Sequence, residues 1–107
     1  MSDTLARIQG LVESGTFRFS DHAYDKLVKD DILGRDLLDT VATAALIEDY
    51  PDYPKGPSVL VLQRDLAGKP IHAVWGIPRG CTSPAVLVTA YRPDPARWTD
   101  DFLRRKP

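Results

Sequence analysis

The chain has 107 residues, one cysteine, two histidines and no long apolar run. A single cysteine, Cys81, excludes an internal disulfide and a zinc ribbon. The longest apolar runs, residues 44–47 and 59–62, are too short to cross a bilayer. The N-terminus also lacks the basic and apolar regions of a signal peptide. These absences predict a cytoplasmic protein that does not associate with membranes.

Several motifs of known chemistry are missing as well. The sequence contains no glycine-rich phosphate loop and no nucleophile elbow, which excludes nucleoside triphosphatases and α/β-hydrolases. Asp21, His22 and His72 are ligand types that suit several divalent ions, but no H-x-x-x-H or comparable spacing supports a metal site. We therefore predict neither a metal nor another cofactor.

The charge of the chain is nearly balanced, with a net charge of −1. By itself this balance argues against a nucleic-acid-binding domain, which usually has a basic surface. The distribution is uneven, however, since residues 58–107 contain eight Lys and Arg but four Asp and Glu. Either this asymmetry makes one face basic, or the two halves interleave in space and the charges only solvate the surface.

Helices are predicted in the first half of the chain. Thr4 is a suitable N-cap for a first helix of about ten residues, and Gly15 is placed to end it. Ser20 is a suitable N-cap for a second helix, because Phe19 and Tyr24 have the spacing of a hydrophobic staple around it.

The second helix is predicted to end near the acidic pair Asp30–Asp31, and Gly34 separates it from a third helix. The inward face of the third helix would consist of Leu37, Leu38, Val41, Ala42 and Ala45. Residues 49–57 contain three prolines, which remove backbone donors and restrict the preceding residues, so we predict a loop there.

The second half of the chain has the pattern of strands. Segments rich in β-branched and apolar residues, separated by turn residues, predict strands over Ser58–Arg64, Ile71–Ile77 and Ala85–Tyr91. Short connections between successive strands favour an antiparallel meander. A last short helix would begin at Asp94, with Pro95 in its first turn and Trp98, Phe102 and Leu103 facing inward.

Residues 1–107 are thus expected to form a single α+β domain, with N-terminal helices packed on one face of a C-terminal antiparallel β-meander of about four strands. In the central strand, alternation places Ile71, Ala73, Trp75 and Ile77 towards the helices. His72, Val74 and Gly76 would then lie on the opposite, more solvated face. A glycine on that face would allow a ligand or a backbone to approach closely.

The two histidines are the first candidates for proton transfer, because only histidine titrates near neutral pH unperturbed. His22 lies at a helix start, where anions bind, and it shares a helix face with Lys26. If the fold brings His22, His72 and Arg92 together, one imidazole can remove a 2′-hydroxyl proton of RNA and the other can protonate the leaving oxygen. Each residue also has a purely structural interpretation. His22 would only pack or cap the helix, His72 would form a cross-strand hydrogen bond, and Tyr91 would complete the core.

The order of short motifs resembles the family known as domain of unknown function 4258, over roughly residues 17–99. The matching pieces are Phe19-Ser20-Asp21-His22-Ala23 with Lys26, Ile32, Ile47-Glu48-Asp49-Tyr50-Pro51, Pro70-Ile71-His72-Ala73-Val74, Val88-Thr89-Ala90-Tyr91, Pro93-Asp94 and Trp98. Members of that family look like relatives of the RelE and BrnT toxins, ribonucleases that a partner antitoxin neutralises. The resemblance therefore implies a compact toxin-like α+β fold.

From these observations we expect the toxin of a type II toxin–antitoxin system, acting as a metal-independent ribonuclease. The expected catalytic residues are His22 and His72, with Lys26, Arg92 and Tyr91 at the substrate, and the expected partners are an RNA and an antitoxin. The alternative is a non-catalytic protein-interaction module that uses an exposed sheet face or edge. Catalysis needs the histidines and cations to converge in one concave site, whereas a binding module needs only an exposed surface.

Overall fold

The computed structural model describes residues 2–107, which form helices on one side of a five-stranded sheet. The elements in chain order are α1 Asp3–Glu13, β1 Phe17–Phe19, α2 Asp21–Lys29, α3 Gly34–Thr40, a 3₁₀ turn Val41–Thr43, β2 Ala45–Tyr50, β3 Ser58–Arg64, β4 Pro70–Gly76 and β5 Ala85–Tyr91. The predicted α+β class is confirmed. Within residues 2–107, no helix has the length and the apolar character needed to cross a membrane.

The sheet has the strand order β1-β5-β4-β3-β2. Strands β2 to β5 are antiparallel neighbours, as the predicted meander requires, whereas β1 pairs in parallel with β5. The sheet is therefore mixed, and not purely antiparallel as predicted. The reason is that α1 and β1 precede the meander, so β1 reaches the free edge of β5 and extends the sheet there.

Helix α1 begins earlier than predicted. Its N-cap is Ser2, whose Oγ accepts a hydrogen bond from the Leu5 amide at 3.1 Å, while Thr4 is buried inside the first turn. The predicted end is confirmed, because Gly15 has a φ of 78° and the Thr16 amide donates to the Leu11 carbonyl. A glycine suits this left-handed position after the helix.

Helix α2 begins as predicted at the N-cap Ser20, whose Oγ accepts from the Ala23 amide at 3.0 Å. The rings of Phe19 and Tyr24 are 5.6 Å apart, which confirms the staple. Ser20 Oγ also donates to the Val88 carbonyl at 2.9 Å. The cap thus fixes the start of α2 against β5, and the helix follows the edge of that strand beyond the end of β1.

The third helix is shorter than predicted. It ends at Thr40, whose hydroxyl donates back to the Asp36 carbonyl at 2.8 Å, and the 3₁₀ turn follows. Leu37 and Val41 are buried as expected, but Ala42 is exposed, and Ala45 begins strand β2. Residues 45–50 become a strand because β3 offers them an open edge, so the predicted loop is confined to residues 51–57.

The core lies between the sheet and the helices. Ile71, Ala73 and Trp75 face the helices and are fully buried, as the alternation predicts, and they pack with residues such as Ile8 and Leu37. No helix forms after Asp94. Instead, Trp98 bridges to Arg105, and the segment from residue 98 to residue 105, which we call the C-terminal strap, lies against the other face of the sheet. The Asp101 carboxylate accepts hydrogen bonds from the Thr99 hydroxyl and the Leu103 amide, and these bonds stabilise this turn in place of a helix.

Candidate functional site

The face of the sheet opposite the helices is organised in three rows that run across the strands. Residues directly opposite one another on neighbouring strands share a face. The first row consists of Arg18, Val86, Gly76, Ser58 and Tyr50, one residue from each strand in the order of the sheet. The second row consists of Thr89, Val74, Leu60 and Glu48, and the third of Tyr91, His72, Leu62 and Ala45.

The first row forms a trough. Its middle residues are small or short, while Arg18 and Tyr50 stand at the two ends, so the face is low in the centre. The resulting cavity has a volume of ≈ 410 Å³, with walls completed by Tyr53, Lys55, Ile77, Pro78 and Val88. Gly76 lies at its floor, as the alternation predicts, and a Cβ there would stand 2.9 Å from Ser58 Oγ. A side chain at residue 76 would therefore displace Ser58.

The β2–β3 turn holds one wall of the trough in place. The Arg79 amide donates to the Lys55 carbonyl and the Ile77 amide donates to the Pro57 carbonyl, both at 3.0 Å. Gly56, between these anchors, has a φ of 125°, and a Cβ there would collide with the Ile77 carbonyl. Because the turn is bonded to the segment after β4, Tyr53 and Lys55 are presented on a fixed backbone.

Two cations of the trough are free to meet a ligand. Arg18 comes from β1 at one end and Lys55 from the turn at the other, and both side chains are exposed. Neither forms an ion pair with any residue in the part of the chain that the structure describes. Both belong to the acidic first half of the sequence, so the charge asymmetry along the chain does not locate the cations of this face.

His22 stands beside the trough, at the second row. Its Nε2 lies 3.1 Å from Oγ1 of Thr89, and Thr89 is the cross-strand partner of Val74 in the trough wall. The imidazole is exposed, and its Nδ1 has no hydrogen-bond partner among residues 2–107. His22 is therefore held at one ring nitrogen and accessible at the other.

His72 is on the predicted face but is fully buried, so the prediction that it lies in a solvated position is wrong. The strap covers it. The Phe102 carbonyl accepts a hydrogen bond from His72 Nε2 at 2.8 Å, and Tyr91 Oη lies 3.3 Å from Nδ1. Burial lowers the pKa of His72, and the positive charge of Arg105 lowers it further. Because the Phe102 carbonyl can only accept, Nε2 carries a proton, and the lowered pKa favours the neutral ring, in which Nδ1 accepts from the Tyr91 hydroxyl.

One ion pair and one cation–π contact, both made by Arg105, hold the strap over the third row. Arg105 contacts Glu48 on β2 at 2.7 Å, and its guanidinium lies 5.0 Å from the centre of the Trp98 ring. Glu48 also accepts a short hydrogen bond from Tyr50. Hydrogen bonds from Tyr50 and Arg105 lower the pKa of Glu48, and the same bond raises the pKa of Tyr50. Tyr91 is partly buried beside His72, and this burial raises the pKa of its phenol.

Arg92 and Lys26 are engaged by acidic groups. The Arg92 guanidinium forms an ion pair with Asp65 at 2.9 Å and donates to the Asp31 carbonyl at 3.3 Å. The amide of Arg92 donates to Asp30, and Lys26 lies 3.8 Å from that same carboxylate. These contacts connect the end of α2 to the end of β5, so both cations have structural partners.

The structure thus places His22, His72 and Tyr91 on one face but does not join the two histidines in one open site. Arg18, Tyr50, Tyr53 and Lys55 were not among the predicted site residues. The two tyrosines and the lysine lie in the segment that was predicted to be a loop. A second cavity of ≈ 690 Å³ is lined by Tyr91 and Arg92 at the end of β5 and by Trp98 and Arg105 of the strap. Three of its cations, Arg92, Arg97 and Arg105, already pair with carboxylates. No group of three or more His, Cys, Asp or Glu side chains among residues 2–107 is arranged to hold a metal.

These features define an α+β protein with an open sheet face that combines aromatic and basic side chains. The chain belongs to the family described as domain of unknown function 4258, whose model matches residues 19–92. The match includes α2, α3, β2 to β5 and His22, but only Phe19 of β1, and neither α1 nor the strap. No curated protein and no solved structure matches the chain. The likeness to RelE and BrnT toxins rests on the sequence pattern alone.

Proposed function

We propose that this protein is the toxin of a type II toxin–antitoxin pair and cleaves RNA without a metal ion. The observation that carries the proposal is the position of His22, an exposed imidazole with a free Nδ1, beside a trough with two unpaired cations. A proton acceptor next to cations is the arrangement that metal-free cleavage of a phosphodiester requires. Exposed tyrosines on the same face suit single-stranded RNA, since bases stack on aromatic rings.

The proposed reaction is an attack of a ribose 2′-hydroxyl on the adjacent phosphorus. The 2′-oxygen forms a bond to phosphorus, and its proton passes to Nδ1 of His22. The bond from phosphorus to the 5′-oxygen breaks, and that oxygen takes a proton from water. The resulting hydroxide takes the proton from His22, which regenerates the enzyme. The products are a 2′,3′-cyclic phosphate and a free 5′-hydroxyl end.

The cations have the role of stabilising negative charge on the phosphate as it is attacked. In this proposal Arg18 and Lys55 take the place expected of Lys26 and Arg92, because the latter two already face Asp30 and Asp65. His72 holds the Tyr91 hydroxyl by its Nδ1, and because the strap buries His72, it makes no contact with the RNA.

The test is cleavage of a mixed-sequence RNA in excess chelator by the wild-type protein and by His22→Ala, purified in parallel. We expect a loss of at least a hundredfold in rate for His22→Ala, since general acid–base groups contribute about 10²–10⁴-fold. Arg35→Ala, an exposed cation on α3, is the matched control and retains wild-type activity. Fragments must end in a 2′,3′-cyclic phosphate. Equal cleavage by wild type and His22→Ala, or no cleavage at all, contradicts the proposal.

A non-catalytic interaction module is the second candidate, and the edge strand β2 favours it. Strand β2 is last in the sheet, and its outer edge has no strand partner among residues 2–107. Leu46 on this strand is 37 % exposed. An extended segment of a partner, such as an antitoxin, can add to an edge of this kind by backbone hydrogen bonds. Stable co-purification of a partner protein, together with no RNA cleavage, would favour this function over the toxin.

A further inference from the structure

The trough crosses the strands and combines three chemical features in one cavity. Its floor is short and apolar at Val86 and Gly76, one wall carries Tyr50 and Tyr53, and its ends carry Arg18 and Lys55. Four strand spacings of about 4.8 Å separate Arg18 from Tyr50, so the row is roughly 19 Å long. A ligand that satisfies all three features is flat, stacks on an aromatic ring and carries negative charge on both sides of the flat part.

We propose that the trough is a nucleobase subsite that takes one unpaired base of single-stranded RNA, with the flanking phosphates at Arg18 and Lys55. This inference rests on the proposed function, because it assigns the substrate contacts of the same face. A tyrosine ring can stack on any base, since every base has a π-face. The volume of ≈ 410 Å³ is at the lower end of ordinary small-ligand sites, about 300–1,000 Å³, which suits a single nucleotide unit.

Charge complementarity supports this occupant over an apolar side chain of a protein partner. Both cations lie at the rim and lack carboxylate partners within the described chain, whereas Arg105 on the same face is neutralised by Glu48. A purely apolar ligand would leave Arg18 and Lys55 at the rim without a partner of opposite charge. The bonds that anchor Lys55 and Pro57 to the segment after β4 keep the tyrosine wall in place before a ligand arrives, which reduces the entropy cost of binding.

His22 then has a defined position relative to the bound base. Val74 and Val88 line the trough, Thr89 follows Val88 on β5, and His22 bonds to Thr89. The proposal assigns to His22 the ribose of the base above Gly76, or that of its neighbour, as the source of the 2′-hydroxyl proton. On this geometry the trough selects which phosphodiester bond is cut, by fixing the base next to it.

The experiment measures binding of an uncleavable 2′-O-methyl oligonucleotide and of the same oligonucleotide with abasic sites, by fluorescence anisotropy. Base insertion predicts that the abasic form binds wild type about tenfold more weakly, in line with the measured effects of stacking. Tyr53→Ala should bind the two forms equally. Tyr24→Ala is the matched control, because Tyr24 is 56 % exposed, similar to Tyr53 at 50 %, but lies outside the trough.

The cations are tested by the salt dependence of the same binding. Arg18→Ala and Lys55→Ala should each reduce the slope of log Kd against log salt concentration by about one, while Arg35→Ala should not. Equal binding of the normal and abasic oligonucleotides by wild type overturns the base subsite, even if cleavage depends on His22. If wild type binds the normal oligonucleotide more tightly than the abasic one, and Tyr53→Ala binds the two equally, the subsite is supported even if no RNA is cleaved. The subsite and the nuclease thus fail in distinguishable ways.

Discussion

The imidazole of His72 lies edge-on to the indole of Trp98, with ring centroids 4.3 Å apart and ring planes at 90°. Edge-to-face packing of this kind is favourable because the ring edge is positive and the face negative. Together with the Phe102 carbonyl, the contact places the strap over a row of the sheet that alternation alone would leave open. The strap is therefore anchored to the sheet through Trp98 and Phe102.

Replacement of Trp98 by alanine should lower the free energy of unfolding by about 3 kcal/mol, as expected for removal of a buried aromatic ring. Urea unfolding followed by circular dichroism measures the change. Trp98→Phe keeps an aromatic ring against His72 and should cost less than half as much. A loss below about 1 kcal/mol for Trp98→Ala would show that the strap does not depend on this side chain.

The protein should lose stability as the pH falls below about 6.5, the ordinary pKa of histidine. The fold lowers the pKa of His72, so below that pH the unfolded chain binds the proton more readily than the folded chain. The stabilising contribution is complete above the ordinary pKa, and it is lost as the pH falls towards the lowered value.

Urea midpoints at pH 7.5 and pH 5.5 measure this dependence, and the midpoint should be lower at pH 5.5. His72→Gln keeps a donor for the Phe102 carbonyl but does not titrate, so its two midpoints should differ less than those of wild type. His22→Ala should retain the wild-type difference. If His72→Gln shows the full difference, another group is responsible.

Arg92 should act as a structural residue. Arg92→Lys keeps the charge near Asp65 but loses the planar fork that also reaches the Asp31 carbonyl, so it should lower the free energy of unfolding by about 1 kcal/mol. Thermal unfolding checks this value, with Arg35→Lys as the exposed control. Oligonucleotide binding by Arg92→Lys should keep the wild-type salt dependence; a slope reduced by about one would instead identify a phosphate contact.

Gln63 should be among the polar residues most sensitive to substitution. Its Oε1 accepts from Trp75 Nε1 at 2.8 Å, and its Nε2 donates to the Leu37 carbonyl at 2.7 Å, all within the core. Gln63→Leu leaves the indole N–H unpaired and should cost about 2 kcal/mol in urea unfolding. Arg64→Ala, the next residue and exposed, should change stability by less than about 0.5 kcal/mol. Similar losses for both variants would contradict this role of Gln63.

Local patterns were enough to predict several elements of the fold. The second helix, the glycine stop of the first and the three strands of the meander depend on caps, turns and alternation within a few residues, and the structure confirms them. Strand β2 was missed because a short apolar run such as residues 44–47 fits the end of a helix as well as a strand. The segment is a strand because it pairs with the edge of β3, and this pairing is not visible in the periodicity of the segment itself.

In the candidate site too, local patterns identify some residues and not others. The sequence could identify His22 at a helix start and Gly76 on the open face, because cap position and strand period are local properties. It could not show that Asp65 and Asp30 engage Arg92 and Lys26, since those contacts join distant segments. Nor could it show that Arg18 and Tyr50 belong to one row, because that row exists only after five strands are in register.

The sequence by itself therefore determined the α+β class, the positions of α2 and of strands β3 to β5, and which residues of β4 face the helices. Tertiary structure alone decided which functional groups are accessible. His72 is buried because the strap folds back over it, and the trough stays open because Gly76 and Ser58 are small where the row crosses the sheet centre. Accessibility depends on contacts between segments far apart in the chain, and local periodicity carries no information about those contacts.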